Sequence, residues 1–143
     1  MRHDPARLQL ARYSWSLEIP TRFGDLDPLG HLNNVAIAGL YEDARVRFNA
    51  TFDLPRHRGA GRTVVAEVAL HYLAEGRYPA PTVCAAGMLH VGNSSWTIGL
   101  ALFQADRCIG LCETVLVHTE DGRPARLPDA LRQAFEGARF RAA

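Results

Sequence analysis

Residues 22–45 read RFGDLDPLGHLNNVAIAGLYEDAR, and the change of character at Asn34 decides the fold. The first half is crowded with Asp25, Asp27, Pro28, Gly30, Asn33 and Asn34, too many turn formers for a strand interior. From about Asn34 the apolar residues recur every three to four positions. Ile37, Tyr41, Ala44 and Phe48, with Leu40 beside them, make one face; Glu42, Asp43, Arg45 and Arg47 make the other. This spacing predicts an amphipathic helix of about four turns. Asn33 or Asn34 can cap it by accepting a backbone N–H that the first turn leaves free. Asp43 and Arg47 stand in the i,i+4 orientation that favours a helix. Gly39 costs about 1 kcal/mol relative to alanine there; it is either a tolerated defect or a point where another backbone comes close.

Upstream, residues 1–12 read as a loose lead-in. Tyr13, Trp15, Leu17 and Ile19 then alternate with Ser14, Ser16 and Glu18, the period of a strand with one buried face, ending near Pro20. Downstream, residues 50–62 carry Pro55, Gly59 and Gly61 and read as a connection. Four alternating apolar stretches follow, at 63–75, 81–91, 95–104 and 108–119. Gly92-Asn93 and the neighbourhood of Asp106 are reversals between them, and Asp121-Gly122 ends the last. Pro128-Asp129 opens a short helix to about residue 136.

Strand, long helix, then four strands in a meander predicts an α+β fold, a curved antiparallel sheet wrapped around one central helix. One helix cannot cover both faces of such a sheet, so a partner subunit or a sheet-to-sheet contact is expected over the remainder. The chain has 143 residues, one domain's worth. It is read as a single domain over 1–143, with its core at about 13–119 and the short helix at about 129–136.

Composition narrows the function. The formal net charge is +1, and all 16 basic residues are arginine. With no lysine there is no Schiff-base chemistry and no P-loop of the usual kind. The arginines are scattered, so nucleic acid is not an expected partner. No apolar run reaches the ~18 residues of a membrane span. Cys84, Cys108 and Cys112 form no CxxC pair, which points to a reducing compartment and a cytoplasmic location. No metal site is expected: Asp27 and His31 would be only two ligands, and Cys108 and Cys112 lie roughly 13 Å apart along a strand.

The chemistry concentrates before the helix. A helix start presents unpaired N–H groups and a partial positive potential, which can stabilise charge growing on an oxygen. A carboxylate beside it can attack a carbonyl or activate water. Acyl transfer to water needs that pair of tools. The same residue types also serve as turn and cap formers.

FGDLDPLGHLNN followed by VAIAGLYEDAR resembles the signature of the hotdog-fold acyl-CoA thioesterases, the group of the 4-hydroxybenzoyl-CoA thioesterases. Phe23, Asp25, Asp27, Gly30, His31, Asn33, Asn34, Tyr41, Glu42, Ala44 and Arg45 match it. Leu32 replaces the usual valine, and the aromatic residue often found at position 37 or 38 is missing. The resemblance implies the hotdog fold, a helix wrapped by an antiparallel sheet, and hydrolysis of an acyl-CoA to a free acid and coenzyme A. Coenzyme A is then part of the substrate, and no cofactor is implied. It implies Asp27 as nucleophile or general base, and the backbone N–H at Asn34 as the group polarising the thioester carbonyl. His31 would orient water or substrate, or else only hold the loop. Gly30 would allow close approach of substrate or a tight turn. Asp25 and Asn33 are expected to be structural, and Tyr41 to belong to the core. Glu42 is a reserve carboxylate, since some hotdog enzymes use one from the long helix. Arg56 and Arg58, in the densest basic region, are candidates for the phosphates of coenzyme A. A homodimer, or a dimer of dimers, with active sites at the seam is implied as well. The competing expectations are a hotdog enoyl-thioester hydratase or dehydratase and a non-catalytic acyl-thioester-binding protein.

Overall fold

The computed structural model describes residues 3–142. Strand β1 (Trp15–Ile19) leads into the polar segment, and α1 (Asn34–Ala50) follows. A short turn of helix, α2 (Leu54–His57), precedes β2 (Arg62–Tyr72), β3 (Thr82–Val91), β4 (Ser95–Gln104) and β5 (Arg107–Glu120). A two-residue strand β6 (Arg123–Pro124) and helix α3 (Asp129–Glu136) complete the order. The strands lie as β1-β3-β4-β5-β2, every pair antiparallel, with β6 beside β5. The expected curved α+β sheet around one long helix is therefore the observed fold, but the four-strand meander is not: only β3, β4 and β5 follow one another, while β1 takes the place beside β3 and β2 crosses to pair with β5.

Period two sorts the side chains. Cys84, Ala86 and Met88 of β3, Ile98, Leu100 and Leu102 of β4, and Cys112 and Leu116 of β5 enter one core with Ile37, Leu40, Tyr41, Ala44 and Phe48 of α1. Their neighbours Ala85, Ala101, Phe103 and Leu111 point outward into a second cluster with Tyr13. Register shifts at Val65/Glu67, Met88/His90 and Leu102/Phe103 add the local twist that lets the sheet curl around α1. The β4–β5 reversal is a two-residue loop, Ala105-Asp106, with both residues at positive φ. Trp96 is a packing residue, fully buried against Phe135 of α3.

The structure corrects the reading of residues 3–12 as a loose lead-in, residues 1 and 2 lying outside the described residues. Pro5–Leu8 and Leu10–Arg12 form tight turns laid on the outer face of the sheet. Arg7 is buried there. Its guanidinium donates to Glu113 Oε1 (2.9 Å), the Tyr13 hydroxyl (3.0 Å) and the carbonyls of Leu100 and Cys112 (3.2 Å each). The C-terminal segment meets it: Arg141 N–H donates to the Arg12 carbonyl (2.9 Å), and Phe140 stacks edge-on to Tyr13. The segments around Arg7 and Phe140 thus cover outer-face area for which a partner subunit or a sheet-to-sheet contact was expected. Among the described residues no helix is long and apolar enough to cross a membrane.

Candidate active site

Two carboxylates build the segment before α1. Asp25 is buried and closes a clamp: its Oδ2 accepts the Arg22 backbone N–H (3.0 Å) and its Oδ1 the Arg22 guanidinium (2.9 Å). The Arg22 hydrogen bond holds the Asp25 carboxyl below the usual carboxylate range. The Asp25 carbonyl then accepts Asn33 N–H (2.8 Å), and Leu26 bridges Leu32, so the segment folds back on itself. Asp25 and Asn33 are structural, as expected.

Asp27 sits at the tip of this fold-back. Its N–H donates to the His31 carbonyl (2.8 Å), and its carbonyl accepts Gly30 N–H (3.0 Å). Gly30 has φ +81°, a conformation that favours glycine and closes the turn after Pro28. Asp27 Oδ1 accepts Leu29 N–H (2.9 Å) and His31 N–H (3.1 Å). One oxygen is thereby pinned, while Oδ2 has no protein partner among the described residues. The carboxylate is oriented by the backbone yet free to react.

Asn33, not Asn34, caps α1: its Oδ1 accepts Ala36 N–H (2.6 Å). Asn34 is the first helical residue, and its own N–H belongs to the first-turn donors that have no intrahelical acceptor. Its carbonyl accepts the Tyr72 hydroxyl (3.4 Å). Asp27, His31 and Asn34 line one cavity of about 470 Å³, closed by Ile37 and by Tyr72 and Glu75 from the far side. His31 Nε2 lies 3.0 Å from Glu75 Oε2.

The other candidates lie elsewhere. Glu42 pairs loosely with Arg45 (3.8 Å), and both line a second cavity of about 320 Å³ with Tyr41, Cys112 and Thr114. Arg58 lines a third, of about 370 Å³, with Arg45, Asn49 and Thr63. Arg56 belongs to the same short helix α2. Asn34 and Asn49 are separated by roughly 22 Å of helix axis at the usual rise, so one chain does not bring Arg56 and Arg58 to Asp27. The three cavities follow one another along the groove between α1 and β2.

Tyr41 is core: its ring is buried and its hydroxyl lies over Gly110, where a Cβ would stand 2.6 Å from it. Burial pushes the thiols of Cys84, Cys108 and Cys112 up, away from the thiolate a nucleophile needs. Among the described residues no group of three His, Cys, Asp or Glu side chains is placed to hold a metal. Tyr72 and Glu75 were not among the sequence candidates. A tyrosine at a strand end and a glutamate in a loop carry no local signal; only the loop pairing of Leu32 N–H with the Gly76 carbonyl (2.9 Å) brings them in.

A long helix gripped by a curled antiparallel sheet, with an oriented carboxylate beside the open helix start, defines a hotdog-fold protein. The chain belongs to the thioesterase-like superfamily, whose family model matches residues 21–135. A thioesterase from Thermus thermophilus, solved with coenzyme A and zinc, is similar at 29% identity, covering 90% of this chain and 97% of that one, with a TM-score of 0.78. The PA5185 protein of Pseudomonas aeruginosa is similar at 25% identity over 94% of this chain and 97% of its own, with a TM-score of 0.76. A 1,4-dihydroxy-2-naphthoyl-CoA thioesterase from Synechocystis, at 12% identity, covers 84% of this chain and 93% of its own and shares the fold with a TM-score of 0.72. No curated protein matches the sequence.

Proposed function

We propose that the chain hydrolyses an acyl-CoA thioester to a carboxylic acid and coenzyme A, with Asp27 as nucleophile or general base. The observation that carries this is the Asp27 carboxylate, one oxygen held by two backbone N–H groups and the other free, in a cavity shared with the start of α1. The thioester oxygen accepts the Asn34 N–H, where negative charge grows as the carbonyl is attacked. The free oxygen of Asp27 attacks the carbonyl carbon or takes a proton from water that does. The thiolate of coenzyme A is a good leaving group and needs no strong acid. Membership of the superfamily and the likeness to a coenzyme A-bound thioesterase support the substrate class.

The active unit of this reading is a dimer. β2 is an edge strand with exposed Val64, Val65, Val68 and Tyr72. It runs antiparallel to the direction from Asp27 to Arg58, so pairing two β2 edges about a twofold axis would bring Arg56 and Arg58 of one copy toward Asp27 of the other. That arrangement gives the arginines access to the coenzyme A phosphates. Three free thiols fit a reducing, cytoplasmic setting.

The test is thiol release from short, medium, long and aromatic acyl-CoAs, beside an Asp27→Asn variant checked for folding. Release by the native chain and a loss of ~100-fold or more in the variant are expected. Equal release by both proteins would remove Asp27 from the chemistry, and no release from any substrate would overturn the hydrolase reading.

A further inference from the structure

Glu75 stands in a loop that is held from several sides. Leu73 and Ala74 N–H both donate to the Ile109 carbonyl (3.0 and 3.2 Å). The Gly76 carbonyl accepts Leu32 N–H, and a Cβ at Gly76 would stand 2.7 Å from the Leu32 side chain, so the two loops touch there. One residue further, the Gln104 side chain accepts Arg77 N–H (2.8 Å) and donates to the Arg77 carbonyl (2.7 Å). Gln104 is itself buried. The loop is thereby locked to the Asp27 fold-back, and Glu75 meets His31 at 3.0 Å with Arg77 at 3.9 Å on the same oxygen.

An ion pair with so exposed a carboxylate (62%) adds little to stability. Its consequence is chemical. In a neutral imidazole only one nitrogen carries the proton, and the nitrogen facing a carboxylate is the one that does. Nε2 faces Glu75. Nδ1 is left with its lone pair and no protein partner among the described residues, in a ring that lines the cavity of Asp27.

We propose that Glu75 is a positioning residue for His31: it fixes the ring and its tautomer so that Nδ1 accepts the proton of the hydrolytic water. This deepens the hydrolase reading and rests on it. Water oxygen bonds to the acyl carbon, and the bond from that carbon to its leaving group breaks with its electron pair. The leaving group is the carboxylate of acylated Asp27, whose formation has already expelled the coenzyme A thiolate, so in this step Asp27 is the nucleophile and His31 the base. The water proton passes to Nδ1 and from there to solvent.

Two readouts test it. Nitrogen NMR of histidine-labelled protein at alkaline pH, without substrate, should show His31 protonated at Nε2, the signal being assigned by its loss in His31→Ala. Glu75→Gln keeps an acceptor and should keep that tautomer and most of the activity; Glu75→Ala should give a tautomer mixture. In Glu75→Ala, kcat should fall by up to about 100-fold with KM little changed. Adding Glu75→Ala to His31→Ala should cost nothing further, because the two act as one unit. A tautomer that ignores Glu75, a tautomer change without a change in kcat, or losses that add in the double variant would each overturn the proposal. Absence of thiol release from every acyl-CoA sinks the hydrolase reading instead, and the NMR arm separates that failure from this one.

Discussion

The two aspartates of the Asp25-x-Asp27 word divide their work by what surrounds them. Asp25 is buried and spends both oxygens on Arg22, while Asp27 has one oxygen held by the backbone and the other without a protein partner among the described residues. Because Asp25 titrates below its ordinary value in the folded chain, its stabilising contribution is present above the unfolded pKa of about 3.9 and is lost as pH falls through the folded value. Arg22→Ala removes the first cause of that shift. The variant should therefore lose that contribution near neutrality, and the acid midpoint of unfolding, followed by circular dichroism, should move to higher pH. The segment around Asp27 was legible because it is local: capping and turn rules act over a few residues and marked it as the polar lead-in to a helix, while the roles of Asp27, Gly30, His31 and Asn34 came from the resemblance to the hotdog thioesterase signature. Choosing Asn33 over Asn34 as the cap was beyond them, since either amide suits a helix start. Glu75 was illegible for the opposite reason, its partner being far along the chain.

At the scale of elements, α1 and the four long strands followed from period 3.6 and period 2, because each buries one face against the same core. The amphipathic helix needs its cap. Asn33→Ala should cost about 1 kcal/mol and lower Tm by roughly 4 °C, read by calorimetry. The same variant should lower kcat, because an unfixed first turn no longer aims the Asn34 N–H. Periodicity failed where the outer face begins. Arg7 is charged, sits in a segment without period, and is buried because Glu113, two strand carbonyls and the Tyr13 hydroxyl receive its donors. Of these only Tyr13 lies within a dozen residues of Arg7. Gly39 stays open: apart from its chain neighbours and its own helix backbone, no described atom lies within 4 Å of where its Cβ would be, so no close approach by another part of the described chain requires it.

For the whole molecule, the unpaired β2 edge is the feature that asks for a second copy. Val65 and Val68 face the α1 groove there and remain about half exposed in the isolated chain. Val68→Lys should place a charge in the proposed seam. Light scattering should then show a shift from dimer to monomer, with thiol release falling along with it, whereas an unchanged mass would argue against a β2 seam. The covering of the outer sheet face has a different bearing. Arg7, Tyr13 and Phe140 lock the two ends of the described chain over β3, β4 and β5, and Ser14 ties in by donating to the Ala138 carbonyl at 3.0 Å. A second sheet could lie flat there only by peeling off both ends and stranding a buried guanidinium. The sheet therefore has one face that its own chain lids, and its longer edge, β2, open. In the proposed pairing the lidded face would act as a terminus against stacking of sheet upon sheet, leaving the β2 edge as the route to a second copy.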